Sequence, residues 1–272
     1  MPDPTQVGEN EPTPADLVGS GVPHPSRMYD YYLGGKDNFE ADRIAADKAM
    51  SVVPDAQKVA RTNREFLVRV VRTMADSGID QFIDLGTGFP TSPNVHEVAH
   101  ERLPSARIVY VDNDPVVVAH NRALREGPLG VLAIDGDVRD PQAILTNPVL
   151  TDSIDFARPV GVLFIAVLHF LPGDPTDIVT AFRSRMASGS MLAISHITSD
   201  DMPEAALRTI EDVYANATAP AVFRSGAEIE ALFGGSPLLP PGVVEVSRWQ
   251  PHDLTIRVKS TLRFLGGVAR VP

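Results

Sequence analysis

The stretch Gln81-Phe82-Ile83-Asp84-Leu85-Gly86-Thr87-Gly88 decides how this chain folds. Five residues rich in apolar side chains run straight into a glycine turn, the pattern of a buried strand that breaks where the backbone must approach a ligand. Downstream, Val109-Tyr110-Val111-Asp112 repeats the buried-strand pattern and ends on an acid. In nucleotide-binding α/β domains such a pair is used together: glycine admits the ligand to the backbone, and the acid at the next strand end takes a ribose hydroxyl pair. The two runs point to a small-molecule cofactor that carries an adenosine.

The rest of the central region keeps the same rhythm. Strands are expected at 81–85, 107–112, 131–135, 160–167 and 190–196, with helices between them at 94–102, 115–125, 141–146 and 175–186. Near-continuous apolar strands alternating with helices imply a parallel sheet covered on both faces. Helices at 203–216 and 226–232 and two late strands at 243–247 and 263–271 follow. Upstream, Val59, Phe66, Val70 and Met74 recur at helical spacing, so 56–74 reads as a helix, as does 42–50. Residues 1–25 carry Pro2, Pro4, Pro12, Pro14, Pro23 and Pro25 among small and polar residues and read as a loosely ordered tail. The expected organisation is a tail over 1–25, a helical N-terminal segment over 26–78 and an α/β domain over 79–272.

Composition narrows the function classes. The chain has 272 residues, a formal net charge of −11 and no cysteine. The acidic balance disfavours a nucleic-acid partner, which calls for a basic stripe. Absence of cysteine excludes disulfides and thiolate metal sites and fits a reducing compartment. The start, Met1-Pro2-Asp3-Pro4, lacks the basic and apolar regions of a signal peptide. The longest apolar run, 160–168, is far shorter than the roughly 20 residues a membrane helix needs. A soluble, cytoplasmic protein without a membrane partner is expected.

The glycine turn is unusual for a phosphate cradle. After Gly88 the chain continues Phe89-Pro90-Thr91-Ser92-Pro93, with neither a third glycine nor an immediate helix to aim amides at a pyrophosphate. A ligand without phosphate fits better, and Asp84 suits a cationic end such as an α-amino group. Asp137, after the third strand in Gly136-Asp137-Val138, is placed either as a turn residue or to accept the adenine exocyclic amine, with the Val138 amide meeting a ring nitrogen. Asn113 beside Asp112 and Ala166 on the fourth strand complete the candidate cofactor set. His169, just past that strand, either serves as a general base or packs locally. His96-Glu97-Val98-Ala99-His100 matches the zinc-peptidase pattern, but Leu103 and Ala106 stand where the extended pattern has its glycine and third histidine. Histidines that pack a helix are the simpler reading.

The N-terminal run Ser26-Arg27-Met28-Tyr29-Asp30-Tyr31-Tyr32-Leu33-Gly34-Gly35-Lys36-Asp37-Asn38-Phe39 has many aromatic and charged groups without clean periodicity. It reads either as a packing arm with a glycine hinge or as a lid whose Arg27 offers a fork to a ligand carboxylate.

Taken together, Asp84-Leu85-Gly86-Thr87-Gly88, Val111-Asp112, Gly136-Asp137-Val138 and the fourth strand resemble the ordered motifs of class I S-adenosylmethionine-dependent methyltransferases. The run from Pro25 to Phe39, with Phe82 to Thr91, resembles more narrowly a largely actinobacterial family labelled S-adenosyl methyltransferase. The resemblance implies a Rossmann-like seven-stranded methyltransferase sheet with the last strand antiparallel. It implies S-adenosylmethionine as cofactor, with Asp84, Gly86 and Gly88 at the methionine part, Asp112 at the ribose, and Asp137 with Val138 at the adenine. The expected activity is direct methyl transfer to an O, N or C nucleophile of a small molecule, with His169 and Tyr32 as candidate base or orienting groups. The alternatives are a non-catalytic protein that senses S-adenosylmethionine or S-adenosylhomocysteine, a nicotinamide-dependent oxidoreductase and a zinc peptidase.

Overall fold

The computed structural model describes residues 21–125, 130–250 and 259–272. Seven strands form one sheet in the order β3-β2-β1-β4-β5-β7-β6: β1 (Gln81–Leu85), β2 (Arg107–Asp112), β3 (Val131–Asp135), β4 (Gly161–Ile165), β5 (Met191–Ile197), β6 (Val244–Glu245) and β7 (Phe264–Arg270). The first five pair in parallel, while β7 runs antiparallel to both β5 and β6. The sheet is the Rossmann-like methyltransferase fold expected from the sequence. The chain winds outward from β1 to β3, then returns to β4 on the other side of β1. Ligands of open α/β sheets bind at such a switch point, outside the carboxyl ends of the strands.

Strand periodicity divides the core between two faces. Phe82, Ile108, Leu163 and Met191 point to one, where they pack with Phe66, Val70 and Met74 of α3 (Ala56–Asp76) and Val98 of α4 (Val95–His100). Ile83, Val109, Val162 and Leu192 point to the other. They meet Ile144 of α6 (Pro141–Leu145), Leu150 of α7 (Pro148–Ser153) and Phe182 of α8 (Thr176–Arg183). The helix α5 (Pro115–Arg125) joins β2 to β3, and α10 (Gly226–Ala231) precedes β6.

A third cluster forms a roof over the carboxyl ends of the strands. It joins Met28 and Tyr32 of α1 (Pro25–Leu33), Ala45, Ala46 and Ala49 of α2 (Glu40–Val52), and Ile210, Val213 and Tyr214 of α9 (Glu204–Ala215). The roof is thus built from the N-terminal segment and from the segment after β5.

The N-terminal run folds as a capped helix. His24 accepts from the Ser26 amide, Pro25 occupies the first turn, and Gly34 closes the helix at φ 84 in the left-handed region. Gly35 is small for another reason: a Cβ there would lie 1.9 Å from Asp30 Oδ1. The adjacent glycines therefore end a helix and seat a carboxylate. Of the expected tail, residues 1–20 lie outside the described residues. At 21–25 the chain is held, with the His24 amide donating to Asp42 Oδ1 at 2.8 Å.

Two local differences bear on the site. The fourth strand was expected through 167 but ends at Ile165, because Ala166 takes φ 59 and turns the chain into a 3-10 segment, Leu168–Phe170. Helix α7 lies where none was expected, although Asn147 accepts from the Val149 amide and Pro148 opens the first turn. Among the described residues no helix is long and apolar enough to cross a membrane.

Candidate active site

A chamber of about 580 Å³ lies between the strand ends and the roof, within the size range of small-molecule sites. Its floor holds Asp84, Gly86, Gly88, Asp112, Asp137 and Val138. Asn113 and Ala166 also line it, as does Arg27 from the roof. Chain positions far apart in sequence converge here because parallel strands place all their carboxyl ends on one edge.

The glycine turn is fixed by the neighbouring strand. The Gly86 amide donates to Val111 O at 2.9 Å, and the Gly88 amide donates to Asp112 Oδ2 at 2.8 Å. Both glycines are left-handed, at φ 65 and 62. A Cβ on Gly86 would lie 2.4 Å from Val167 Cγ2. Asp112 Oδ1 accepts from the Asp114 amide at 3.0 Å. Burial, opposed by these two amide bonds and reinforced by Asp114 and Asp84, raises the Asp112 carboxyl to about 6. Asp84 is likewise buried, with Oδ2 accepting from Thr87 Oγ1 at 3.1 Å.

At the far end, Arg139 Nε donates to Asp137 Oδ2 at 2.9 Å and Asn113 Nδ2 donates to the same oxygen at 3.3 Å. Burial alone would raise the Asp137 carboxyl, but the hydrogen bonds and charge of Arg139 carry it below the usual range.

Three candidate residues have other engagements in the structure. Arg27 faces the chamber, yet its fork is engaged: Nε donates to Asp42 Oδ2 at 3.0 Å, one terminal nitrogen to Asp114 Oδ2 at 3.4 Å and the other to Val22 O at 3.1 Å. It ties roof to floor and is not held open for a ligand carboxylate. His169 is off the chamber wall, 2% exposed beside His196 and Phe264, and burial holds its imidazole neutral. A strand end was legible there, but the 3-10 turn that swings the ring inward was not. Tyr32 also faces away, its hydroxyl hydrogen-bonded to Tyr214 inside the roof.

The roof supplies lining groups that the sequence reading did not single out. Tyr29 and Asp30 of α1, Asn63 of α3 and Phe170 all reach the chamber. Asp30 is 5% exposed, and burial raises its carboxyl despite bonds from the Asn38 side chain and the Asp37 amide. A polar residue inside an amphipathic helix carries no sequence signal that separates a cavity wall from a solvent face.

The chamber walls fit an S-adenosyl ligand better than a phosphate-bearing one. Asp30, Asp84, Asp112 and Asp137 face it, while each arginine on the wall is already bonded: Arg27 and Arg139 to carboxylates, Arg64 to Thr91 O and Pro93 O. The helix that follows β1, where a dinucleotide's pyrophosphate would dock, begins only at Val95 and is closed by a capping box in which the Glu97 carboxylate takes the Asn94 amide. An acid at that terminus repels phosphate and leaves a cationic sulfonium or ammonium unopposed. The His96 ring meets Tyr110 Oη at 2.9 Å and His100 Nε2 meets Ala106 O at 2.9 Å. Among the described residues no three acidic or histidine side chains gather around a possible metal position.

Comparison with known proteins agrees with this reading. Residues 11–272 match the family model described as S-adenosyl methyltransferase. A crystal structure from Thermobifida fusca YX, which carries a provisional methyltransferase name, is similar at 38% identity and a TM-score of 0.88 over 96% of this chain and 99% of that one. A DUF574 family protein from Streptomyces avermitilis MA-4680 is similar at 37% identity and a TM-score of 0.88, over 94% of this chain and all (100%) of that one. Geranyl diphosphate C-methyltransferase from Streptomyces coelicolor A3(2), at 14% identity and a TM-score of 0.50, shares the fold alone. No curated protein matches the chain.

Proposed function

This chain belongs to the S-adenosyl methyltransferase family, and on that premise we propose that it transfers a methyl group from S-adenosylmethionine directly to an O, N or C nucleophile of a small molecule. The observation that carries the proposal is the roofed chamber of about 580 Å³ with its acidic floor. A roofed cavity of this size suits a small ligand, and the net charge of −11 disfavours nucleic acid.

Asp84, Gly86 and Gly88 would flank the amino-acid part of the cofactor, Asp112 with Asn113 the ribose, and Asp137 with Val138 the adenine. When bound, the cofactor supplies an electrophilic methyl carried on a sulfonium. The protein's own contribution is positioning and exclusion of water. Gly86 and Gly88 would bring the backbone within reach of the ligand, Asp112 would orient it through its hydroxyls, and the roof covers part of the chamber. Asp30 is a wall carboxylate whose value burial raises, so that in its ionised form it is a stronger base toward an acceptor's proton.

Calorimetric titration with S-adenosylmethionine, S-adenosylhomocysteine and NADH tests the reading. Micromolar binding of the first two, lost in Asp112→Ala, is the expected result. Binding of NADH alone would overturn it.

A further inference from the structure

One polar atom on the roof side of the chamber has nothing to bond. Asn63 lines the chamber and is fully buried, at 0% exposure. Its Nδ2 donates to Tyr29 Oη at 3.0 Å, and Tyr29 Oη donates to Ala60 O at 3.1 Å. This relay fixes which end of the amide is oxygen. With the amide reversed, its oxygen would face a hydroxyl whose only proton is committed to Ala60. Asn63 Oδ1 is left buried without a partner. Such an atom is costly in a folded protein unless something fills the vacancy.

The position of Asn63 says what fills it. Leu67, one helical turn further along α3, also lines the chamber, and Arg64, next to Asn63, bonds Thr91 O and Pro93 O in the loop that follows β1. Helix α3 packs on β4. This end of the chamber is therefore the one where β1 finishes beside Asp84 and β4 finishes beside Ala166. The acids proposed for ribose and adenine stand on β2 and after β3, at the other end. An amide oxygen only accepts, and Asp84 near the end of β1 is a buried acid on the same wall, so the matching group is a cationic donor.

Resting on the reading above, we propose that Asn63 Oδ1 receives the α-ammonium of the cofactor's amino-acid part, and that Tyr29 is the positioning residue that holds the amide oxygen toward it. The orphaned atom is then satisfied only in the complex, which makes affinity depend on the amino group itself.

The test titrates wild type, Asn63→Leu, Asn63→Asp and Tyr29→Phe with S-adenosylhomocysteine and with its deaminated analogue. Wild type should prefer the amino compound. Asn63→Leu should weaken S-adenosylhomocysteine roughly ten- to hundred-fold, as expected for a hydrogen bond to a charged group, and leave the analogue within about two-fold. Asn63→Asp keeps an acceptor and should keep that preference. Tyr29→Phe should lower it by a smaller factor. Equal weakening of both ligands would show a packing role and overturn the proposal, as would no weakening of either. If Asn63→Leu does not fold, Tyr29→Phe and Asn63→Asp decide by the same ratio. Failure of wild type to bind S-adenosylhomocysteine at all would overturn the cofactor reading itself, a result distinct from an unchanged Asn63 variant.

Discussion

The Gly88 amide donates to the Asp112 carboxylate at 2.8 Å. The acid proposed to meet the ribose is thus also the group that holds the glycine turn, so one side chain shapes two parts of the same wall. Its raised value, about 6, gives this arrangement a pH signature.

Below about pH 6 the native Asp112 takes up a proton, and cofactor affinity should fall because a neutral carboxyl is a poorer acceptor for ribose hydroxyls and for the Gly88 and Asp114 amides. Stability moves the other way. A carboxyl whose folded value lies above its unfolded one, about 3.9, favours the fold most at low pH. That contribution is lost as pH rises from about 4 to about 6. Calorimetry across this range should show weaker binding at the acid end, and Asp112→Asn should flatten the corresponding slope in thermal midpoint. An unchanged slope in that variant would remove Asp112 as its source.

Gly86→Ala should abolish measurable cofactor binding and destabilise the fold by about 1–3 kcal/mol, since it combines a left-handed backbone with a Cβ pressed against Val167. Adding Val167→Ala relieves the clash but not the dihedral, so the double variant should recover only part of the loss. Denaturant titration of both proteins checks this; complete recovery would assign the whole effect to the clash.

Replacing His169 by Phe should leave cofactor affinity unchanged, because the ring is off the chamber and its Nδ1 has no partner to lose. Its neighbour behaves differently. Arg224 donates to Leu168 O at 3.0 Å, Leu171 O at 3.1 Å and His196 Nε2 at 2.7 Å, and also to Gly173 O. Arg224→Met leaves these acceptors buried and should cost about 3 kcal/mol or more. Thermal unfolding of the two variants should separate them clearly; equal losses would mean His169 carries more of the packing than its contacts indicate.

If the roof closes on the cofactor, S-adenosylhomocysteine should slow amide exchange in α1 more than in α6 or α7, which lie on the far face of the sheet. Arg27→Met leaves Asp42 and Asp114 buried without their cation, so it should lower stability by about 3–5 kcal/mol and erase the difference. Uniform protection across the chain in wild type would mean that α1 does not act as a lid.

The floor of the chamber was legible in the sequence because it follows from regular periodicity. Strands buried on both faces announce themselves, and at or just beyond their ends stand acids that line the chamber: Asp84, Asp112 and, after β3, Asp137. The roof was not legible. Tyr29 and Tyr32 belong to one helix, yet the first meets Asn63 of α3 and the second Tyr214 of α9. Which partner each finds depends on how distant helices pack, and α9 carries no mark linking it to the N-terminus. His169 shows the same limit at shorter range: the strand end was visible, but a left-handed Ala166 redirects the chain before the imidazole is reached.

The roof joins helices from before β1 with a helix from after β5. During synthesis the glycine turn and the acids of the first three strands emerge long before the piece that closes over them. Until α9 leaves the ribosome, Met28 and Tyr32 have no apolar partner from that helix. Completion of the roof is therefore a late event in the life of the nascent chain, since the last helix of its cluster follows five of the seven strands.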